Sequence, residues 1–204
     1  YYSSYFVIGE YRDSVFIVNH QYYVNPYLTY QCNIITAGTQ KDIFIGLKQN
    51  FFIEYFEDPV NPEDKIKQIY YPDNLQRNCT AITVDLYNNV YLGFENTNYF
   101  MIYWYTSKTF SIYAFDDTLT CKYMITDLNN NVYLAFSNNN YFIMFDYTKK
   151  SFIKIYFNEN HDIKKCSTMT FTLDNKIYFT FIDSPETGIY DPLHNKYSKT
   201  MIND

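Results

Sequence analysis

The sequence predicts an all-β chain: a β-propeller of five four-stranded blades with the first blade shortened, or a sector of a larger propeller. Three observations carry this expectation. Cysteines fall at 32, 79, 121 and 166, spaced 47, 42 and 45 residues apart. The segments that follow them align without a gap for sixteen residues. Each segment divides into short aromatic and β-branched runs separated by Asn-rich turns, with no helix-period stripe. A period near 42–47 residues with four strands in each period selects a propeller over a sandwich or barrel.

The alignment is carried by columns. Three residues after each cysteine stand Ile35, Ile82, Met124 and Met169. Eleven residues after it stand Ile43, Val90, Val132 and Ile177, followed by Phe44, Tyr91, Tyr133 and Tyr178. The next columns hold Ile45, Leu92, Leu134 and Phe179, then the small residues Gly46, Gly93, Ala135 and Thr180. Leu47, Phe94, Phe136 and Phe181 close the segment. A fifth copy precedes these, with Ser4 at the cysteine position, Val7 in the Ile/Met column and Val15–Val18 in the later ones. Only 28 residues separate Ser4 from Cys32, so this copy lacks about one strand or has very tight turns. The repeats thus begin near 4, 32, 79, 121 and 166 within one domain spanning 1–204.

Within the Cys79 copy, strands are expected at 80–85, 89–94, 99–105 and 108–115. The Cys121 copy repeats the plan with Asp127-Leu-Asn-Asn-Asn and Ser137-Asn-Asn-Asn as turns. Aromatics make up 22% of the chain and suit a pleated, half-buried surface. The codons for Tyr, Phe, Asn, Ile and Lys are AT-rich, so an AT-rich genome would account for much of this bias without any functional cause, and the Tyr count is not read as a function. Five Gly are too few for so many turns, which leaves Asn to supply the left-handed bends.

Charge excludes some partners. The formal net charge is −6, and the densest basic run is Lys164–Lys165 beside His161 and Asp162, which is no nucleic-acid footprint. No apolar run approaches the roughly 18 residues of a transmembrane segment. The chain opens at Tyr1 rather than Met, as expected if its beginning has been removed; a signal peptide there would make it secreted.

The segment Asn131-Val-Tyr-Leu-Ala-Phe-Ser-Asn-Asn-Asn-Tyr-Phe-Ile-Met-Phe-Asp146 resembles the NHL-type propeller repeat, in which a strand, a short Asn-containing turn and a second strand ending near Asp follow one another. Asn89–Tyr103 matches more loosely. The sequence departs from the pattern where NHL repeats place Asp and Arg, with Phe94 or Phe136 and then Tyr-Phe. The resemblance implies the fold and a macromolecular partner, and no particular ligand.

The sharpest candidate for chemistry lies six residues after each anchor, where the column reads Glu10, Gly38, Asp85, Asp127 and Thr172. Three carboxylates at the end of channel-lining strands are the arrangement of a glycosidase-like enzyme, as in several five-bladed glycosidases. Its acid pairs stand about 5–5.5 Å or 6.5–9.5 Å apart by mechanism. The same oxygens would suit Ca²⁺. Against both, Asp at a strand end before Leu-Tyr-Asn-Asn or Leu-Asn-Asn-Asn is what an Asx turn requires.

Other residues offer less. The four cysteines are expected to be reduced and buried, since equivalent positions on adjacent blades stand about 10 Å apart and a disulfide needs Cα atoms within about 7 Å. Asn78-Cys-Thr80 is a glycosylation sequon of the kind chance supplies. His20, His161 and His194 are expected in loops, and Trp104 in a blade-to-blade core. No Gly-rich phosphate loop, catalytic triad, cofactor site or metal site is read from the chain. The expected function is therefore a non-enzymatic binding or scaffold propeller that engages a protein or glycan partner, as a homo-oligomer or part of a larger assembly. The alternative is the glycosidase-like enzyme using Glu10, Asp85 and Asp127.

Overall fold

The computed structural model describes residues 5–12, 15–23, 32–39, 42–56, 66–137, 139–157, 164–182 and 184–201, the first two stretches as backbone. All regular structure in them is β. The chain begins with a hairpin, β1 (Tyr5–Arg12) and β2 (Val15–Tyr23). Four meanders follow. The Cys32 unit contains β3 (Cys32–Ala37), β4 (Ile43–Gln49), β5 (Phe51–Tyr55) and β6 (Ile66–Tyr70). The Cys79 unit contains β7 (Arg77–Val84), β8 (Val90–Phe94), β9 (Thr97–Trp104) and β10 (Thr109–Leu119). β11 (Cys121–Thr126), β12 (Val132–Phe136), β13 (Tyr141–Asp146) and β14 (Ser151–Tyr156) make the third. β15 (Cys166–Phe171), β16 (Ile177–Phe181), β17 (Ser184–Asp191) and β18 (Lys196–Met201) make the fourth. Strands pair antiparallel in sequence order within each unit, and a short bridge from Lys48–Gln49 at the end of the inner strand β4 to Arg77–Asn78 of β7 joins the first two units.

The columns have a structural cause. In every unit the first strand shifts register one residue after its cysteine, between Cys32 and Ile34, Cys79 and Ala81, Cys121 and Tyr123, and Cys166 and Thr168. Such a bulge re-aims one side chain and adds twist. The bulged residues are Asn33, Thr80, Lys122 and Ser167. Two of them tie their unit to the next: Asn33 Nδ2 donates to the Cys79 carbonyl at 3.2 Å, and the Thr80 hydroxyl donates to the Cys121 carbonyl. The small-residue column exists because the next unit's cysteine seats on it. A Cβ on Gly46 would stand 2.6 Å from Cys79 Sγ, and one on Gly93 2.7 Å from Cys121 Sγ. Cys166 and Ala135 belong to one buried cluster.

Between units the core is aromatic. Phe52 meets Tyr103 at 5.5 Å between ring centroids, Phe100 meets Phe145 at 5.2 Å, and Phe142 meets Phe179 at 4.6 Å. Tilted and edge-on contacts of this kind are favoured by the ring quadrupole and fix how neighbouring sheets pack.

Asn does supply the left-handed bends. Positive φ occurs at Asn74, Asn88, Asn96, Asn130, Asn175 and Asn195, joined by Lys108 and Lys150, and at no described glycine. Nine residues after their cysteines, Asn88, Asn130 and Asn175 occupy the same turn in three units.

Several expectations need correction. The cysteines are free, but only Cys79, Cys121 and Cys166 are buried, whereas Cys32 is exposed. The first copy is also built differently. Arg12 pairs with Val15 across a two-residue link, whereas Val84 pairs with Val90 across five. Glu10 therefore lies inside β1 opposite Ile17, and His20 lies inside β2 opposite Ile8 rather than in a loop. Ser4 and His161 lie outside the described residues. The sequon is engaged in packing: Asn78 Nδ2 donates to Glu95 at 2.7 Å, and Thr80 holds the Cys121 carbonyl.

Thiol chemistry should register the difference. Burial raises all four thiols, Cys32 included, and pushes Cys79 and Cys166 up to about 12 and Cys121 higher still, so the contrast rests on the exposure of Cys32. A maleimide at neutral pH is expected to modify one thiol per native chain, Cys32, and all four in denaturant. A second thiol labelled in the native protein as fast as Cys32 would contradict the seating described above.

Candidate functional site

A meander brings its first and third turns to the same end, so the column six residues after each cysteine lies at the turn end of the sheets. Asp85 is 3% exposed there. Its Oδ1 accepts the backbone N–H groups of Tyr87 and Asn89, both at 2.9 Å. Its Oδ2 accepts Asn89 Nδ2 and the Tyr91 hydroxyl, both at 2.9 Å. Asp127 repeats the pattern. Asn129 N and Asn131 N reach Oδ1 at 2.8 and 2.9 Å, while Asn131 Nδ2 and the Tyr133 hydroxyl reach Oδ2 at 3.0 and 2.9 Å. The asparagine then links this turn to the next one at that end, because Asn89 Oδ1 accepts Tyr105 N at 3.0 Å and Asn131 Oδ1 accepts Tyr147 N at 3.1 Å. Each carboxylate therefore caps its own first turn, and each asparagine braces the third.

Tyr91 and Tyr133 are the partners that the sequence reading missed. Both phenols are pushed far above their ordinary value by burial and by the carboxylate each one faces. The signal was present as Asp, Asn four residues on, and Tyr two beyond that. In the Cys166 unit Thr172 stands in the Asp column and its hydroxyl bonds the Lys176 carbonyl at 3.0 Å. The backbone of Glu10, inside β1, does not occupy the equivalent turn.

Buried acid appears elsewhere at this end, in residues the sequence did not single out. Asp42 and Glu54 are both buried in the Cys32 unit. Asn88 Nδ2, from the neighbouring unit, donates to Asp42 at 2.6 Å, while Asn88 Oδ1 accepts Thr39 N at 2.7 Å. Burial first, and then the Glu54 charge, raise the Asp42 carboxyl; the Asn88 and Tyr105 hydrogen bonds and the Lys108 ammonium pull it back only in part. A raised native carboxyl holds its proton more tightly than the unfolded chain does. This group's contribution to stability is therefore whole below the ordinary Asp range and is lost as pH rises through the raised value. Asp42→Asn is expected to raise the melting temperature at pH 7, with the gain shrinking towards pH 4. Melts across that range that show a gain independent of pH, or none, would contradict it.

The turn end also carries a groove of about 600 Å³ between the Cys121 and Cys166 units. Leu128, Asn129, Asn131, Lys149, Leu193 and Asn195 are on its walls. The leucine belongs to a series. Seven residues after each cysteine stand Thr39, Leu86, Leu128 and Leu173, and the three leucines are 56%, 59% and 104% exposed. Tyr87 and Leu193 extend this rim, at 67% and 86%.

No protein-family model matches the sequence, and no curated protein matches it. Solved structures do. A catalytically inactive virginiamycin B lyase from Staphylococcus aureus with quinupristin superposes with a TM-score of 0.73 at 12% identity, over 94% of this chain and 61% of that one. A streptogramin B lyase gives 0.72 at 13%, over 91% and 59%. An auxiliary nutrient binding protein from Bacteroides thetaiotaomicron gives 0.60 at 11%, over 83% and 41%. The fold is a β-propeller. At such identities the likeness is one of fold, and this propeller chain spans about 60% of the length of the lyases it matches.

The remaining sequence candidates sit apart from the groove or play supporting parts in the propeller. Trp104 is half-buried at the seam of the Cys79 and Cys121 blades, 6.0 Å from Tyr147 between ring centroids, with Nε1 donating to Ser111 at 2.7 Å. His194 lies in a turn, Nδ1 2.8 Å from Asp191 Oδ2. Among the described residues no group of three His, Cys, Asp or Glu side chains is placed to hold a metal ion, and no helix is long and apolar enough to cross a membrane.

Proposed function

We propose that residues 1–204 form one propeller domain of five NHL-type blades, with β1–β2 in the shortened first blade. Its job is non-enzymatic: it engages a protein or glycan partner, as a scaffold or part of an assembly, through the turn-end rim. The observation that carries this reading is the leucine column. A single exposed leucine means nothing, whereas contiguous exposed apolar surface marks interaction sites. Here one leucine recurs on three consecutive blades at a turn position where packing makes no demand for it. Asn129 and Asn195 stand on the walls of the same groove and carry amide groups. The nutrient-binding neighbour supports ligand capture as a task this fold performs.

The glycosidase-like alternative draws no support from Asp85 and Asp127, whose oxygens are already engaged by four donors each. A glycan array and a defined panel of peptides, read with wild type and with a Leu128→Asp, Leu173→Asp double variant, test the binding reading. Exposed substitutions of this kind move stability by only about 0.5 kcal/mol each. The expected result is a captured ligand class whose affinity falls at least tenfold in the variant. Equal binding by both proteins, or none by wild type, would remove the rim from consideration.

A further inference from the structure

The opposite end of the blades holds a second cavity, and its chemistry differs from the rim's. It is an open depression of about 450 Å³, lined by Cys32, Asn33, Asn78, Thr80, Thr120, Lys122 and Ser137. Ligand pockets run from roughly 300 to 1,000 Å³. Three of these residues, Asn33, Thr80 and Lys122, hold the bulge position of consecutive first strands, so the repeat itself aims one side chain per blade into this space.

The polar inventory is asymmetric. Thr80 spends its proton on the Cys121 carbonyl; Thr120 spends its own on Asn96 Oδ1 at 3.1 Å and accepts Asn96 N at 3.2 Å, which leaves it one acceptor position. Asn33 commits Nδ2 to Asn78 Oδ1 and the Cys79 carbonyl. What these groups still offer a ligand is mainly acceptor oxygen. Lys122 is the opposite case: a half-buried cation bearing three donors, whose ammonium lies 5.6 Å from the Tyr123 ring centroid. Among the described residues no carboxylate lines the cavity although the chain carries a net −6; the acid bonded to a lining residue is Glu95, held by Asn78 Nδ2.

We propose that this cavity binds a sugar acid, its carboxylate on Lys122 and Ser137 and its hydroxyls donating to Thr80, Thr120 and Asn33. A bare sulfate brings no protons for those acceptors, and a neutral sugar leaves the ammonium without its counter-charge. A hydroxylated carboxylate satisfies both. The same chemistry is found in a free uronic acid and at a uronate residue of an acidic glycan. The site is independent of the leucine rim, so Leu128→Asp, Leu173→Asp leaves it intact and the two readings fail separately.

Titration of the folded protein with methyl glucuronide, methyl galacturonide, methyl glucoside, inorganic sulfate and a tetra-galacturonate tests it, followed by calorimetry and by amide shifts at Lys122 and Ser137. The expected result is binding of at least one acid, weakened at least tenfold in Lys122→Met and by high salt, and at least tenfold weaker for the neutral glucoside. Binding of a monouronide assigns a free sugar acid; binding of the oligomer alone assigns an acidic glycan. Ser137→Ala, a smaller change, is expected to weaken the acid several-fold with an unaltered melting curve. Equal affinity for glucoside and glucuronide, sulfate binding as tightly as the acids, unchanged affinity in Lys122→Met, or no binding of any acid would each overturn the proposal.

Discussion

Asp85→Ala is expected to destabilise the protein by about 3–4 kcal/mol, because four donors lose one buried acceptor group at once. Tyr87 N can turn to water. The Tyr91 hydroxyl cannot, since its residue is 0% exposed and packed beneath the turn. Asn89 loses the anchor that lets it hold Tyr105 N, so the damage passes from the first turn to the third. For a chain of this size that loss lowers the melting temperature by about 10 °C. Asp127→Ala should match it closely, since Asp127 makes the same four contacts. Thr172→Ala, in the blade where a hydroxyl replaces the carboxylate, should cost no more than about 1.5 kcal/mol. Calorimetric melts of the three variants measure the series. Melts of Asp85→Ala and Asp127→Ala that overlay wild type would show that the carboxylates are not turn caps, and would reopen the enzymatic reading.

The repeat was legible because its columns report one packing environment met four times over. Period, strand count, the Asn-built turns and the capping role of Asp85 and Asp127 all follow from local chemistry that a sequence displays. Glu10 misled because the alignment places it in the Asp column, whereas β1 runs on past that point to Arg12. Cys32 misled because it shares its column with three buried cysteines and is itself exposed. The pair Asp42 and Glu54 left no trace in the repeat, since Glu54 comes from β5 and their shared environment arises only when Asn88 arrives from the next blade. The leucine rim was visible as a column, yet periodicity alone cannot separate a buried leucine from an exposed one. Exposure is a property of where the turn points, and that is fixed in three dimensions.

Gly93→Val should cost about 3 kcal/mol, by overpacking rather than by any backbone effect. Glycine is not needed there for φ, because no described glycine has a positive value. It is needed for room. An added Cβ would stand 2.7 Å from Cys121 Sγ, 2.9 Å from Cys121 Cβ and 3.1 Å from Met124 Cε, and valine adds two methyl groups beyond it. Removing the sulfur from the other side should restore part of the loss. Cys121→Ala in the same chain is expected to show a favourable coupling of about 1 kcal/mol with Gly93→Val, partial because the cysteine's Cβ remains. Thr180→Val supplies the contrast. Thr180 occupies the same column of the last described blade, and among the described residues no cysteine seats on it, so the near-isosteric change should move stability by under about 1 kcal/mol. Denaturant titrations of the four proteins in the cycle and of Thr180→Val give the comparison directly. If valine is equally costly at 93 and 180, the small column reflects strand chemistry within a blade; if the cost appears only at 93 and couples to Cys121, the spacing between blades is set by a sulfur on one sheet and the missing side chain on the next.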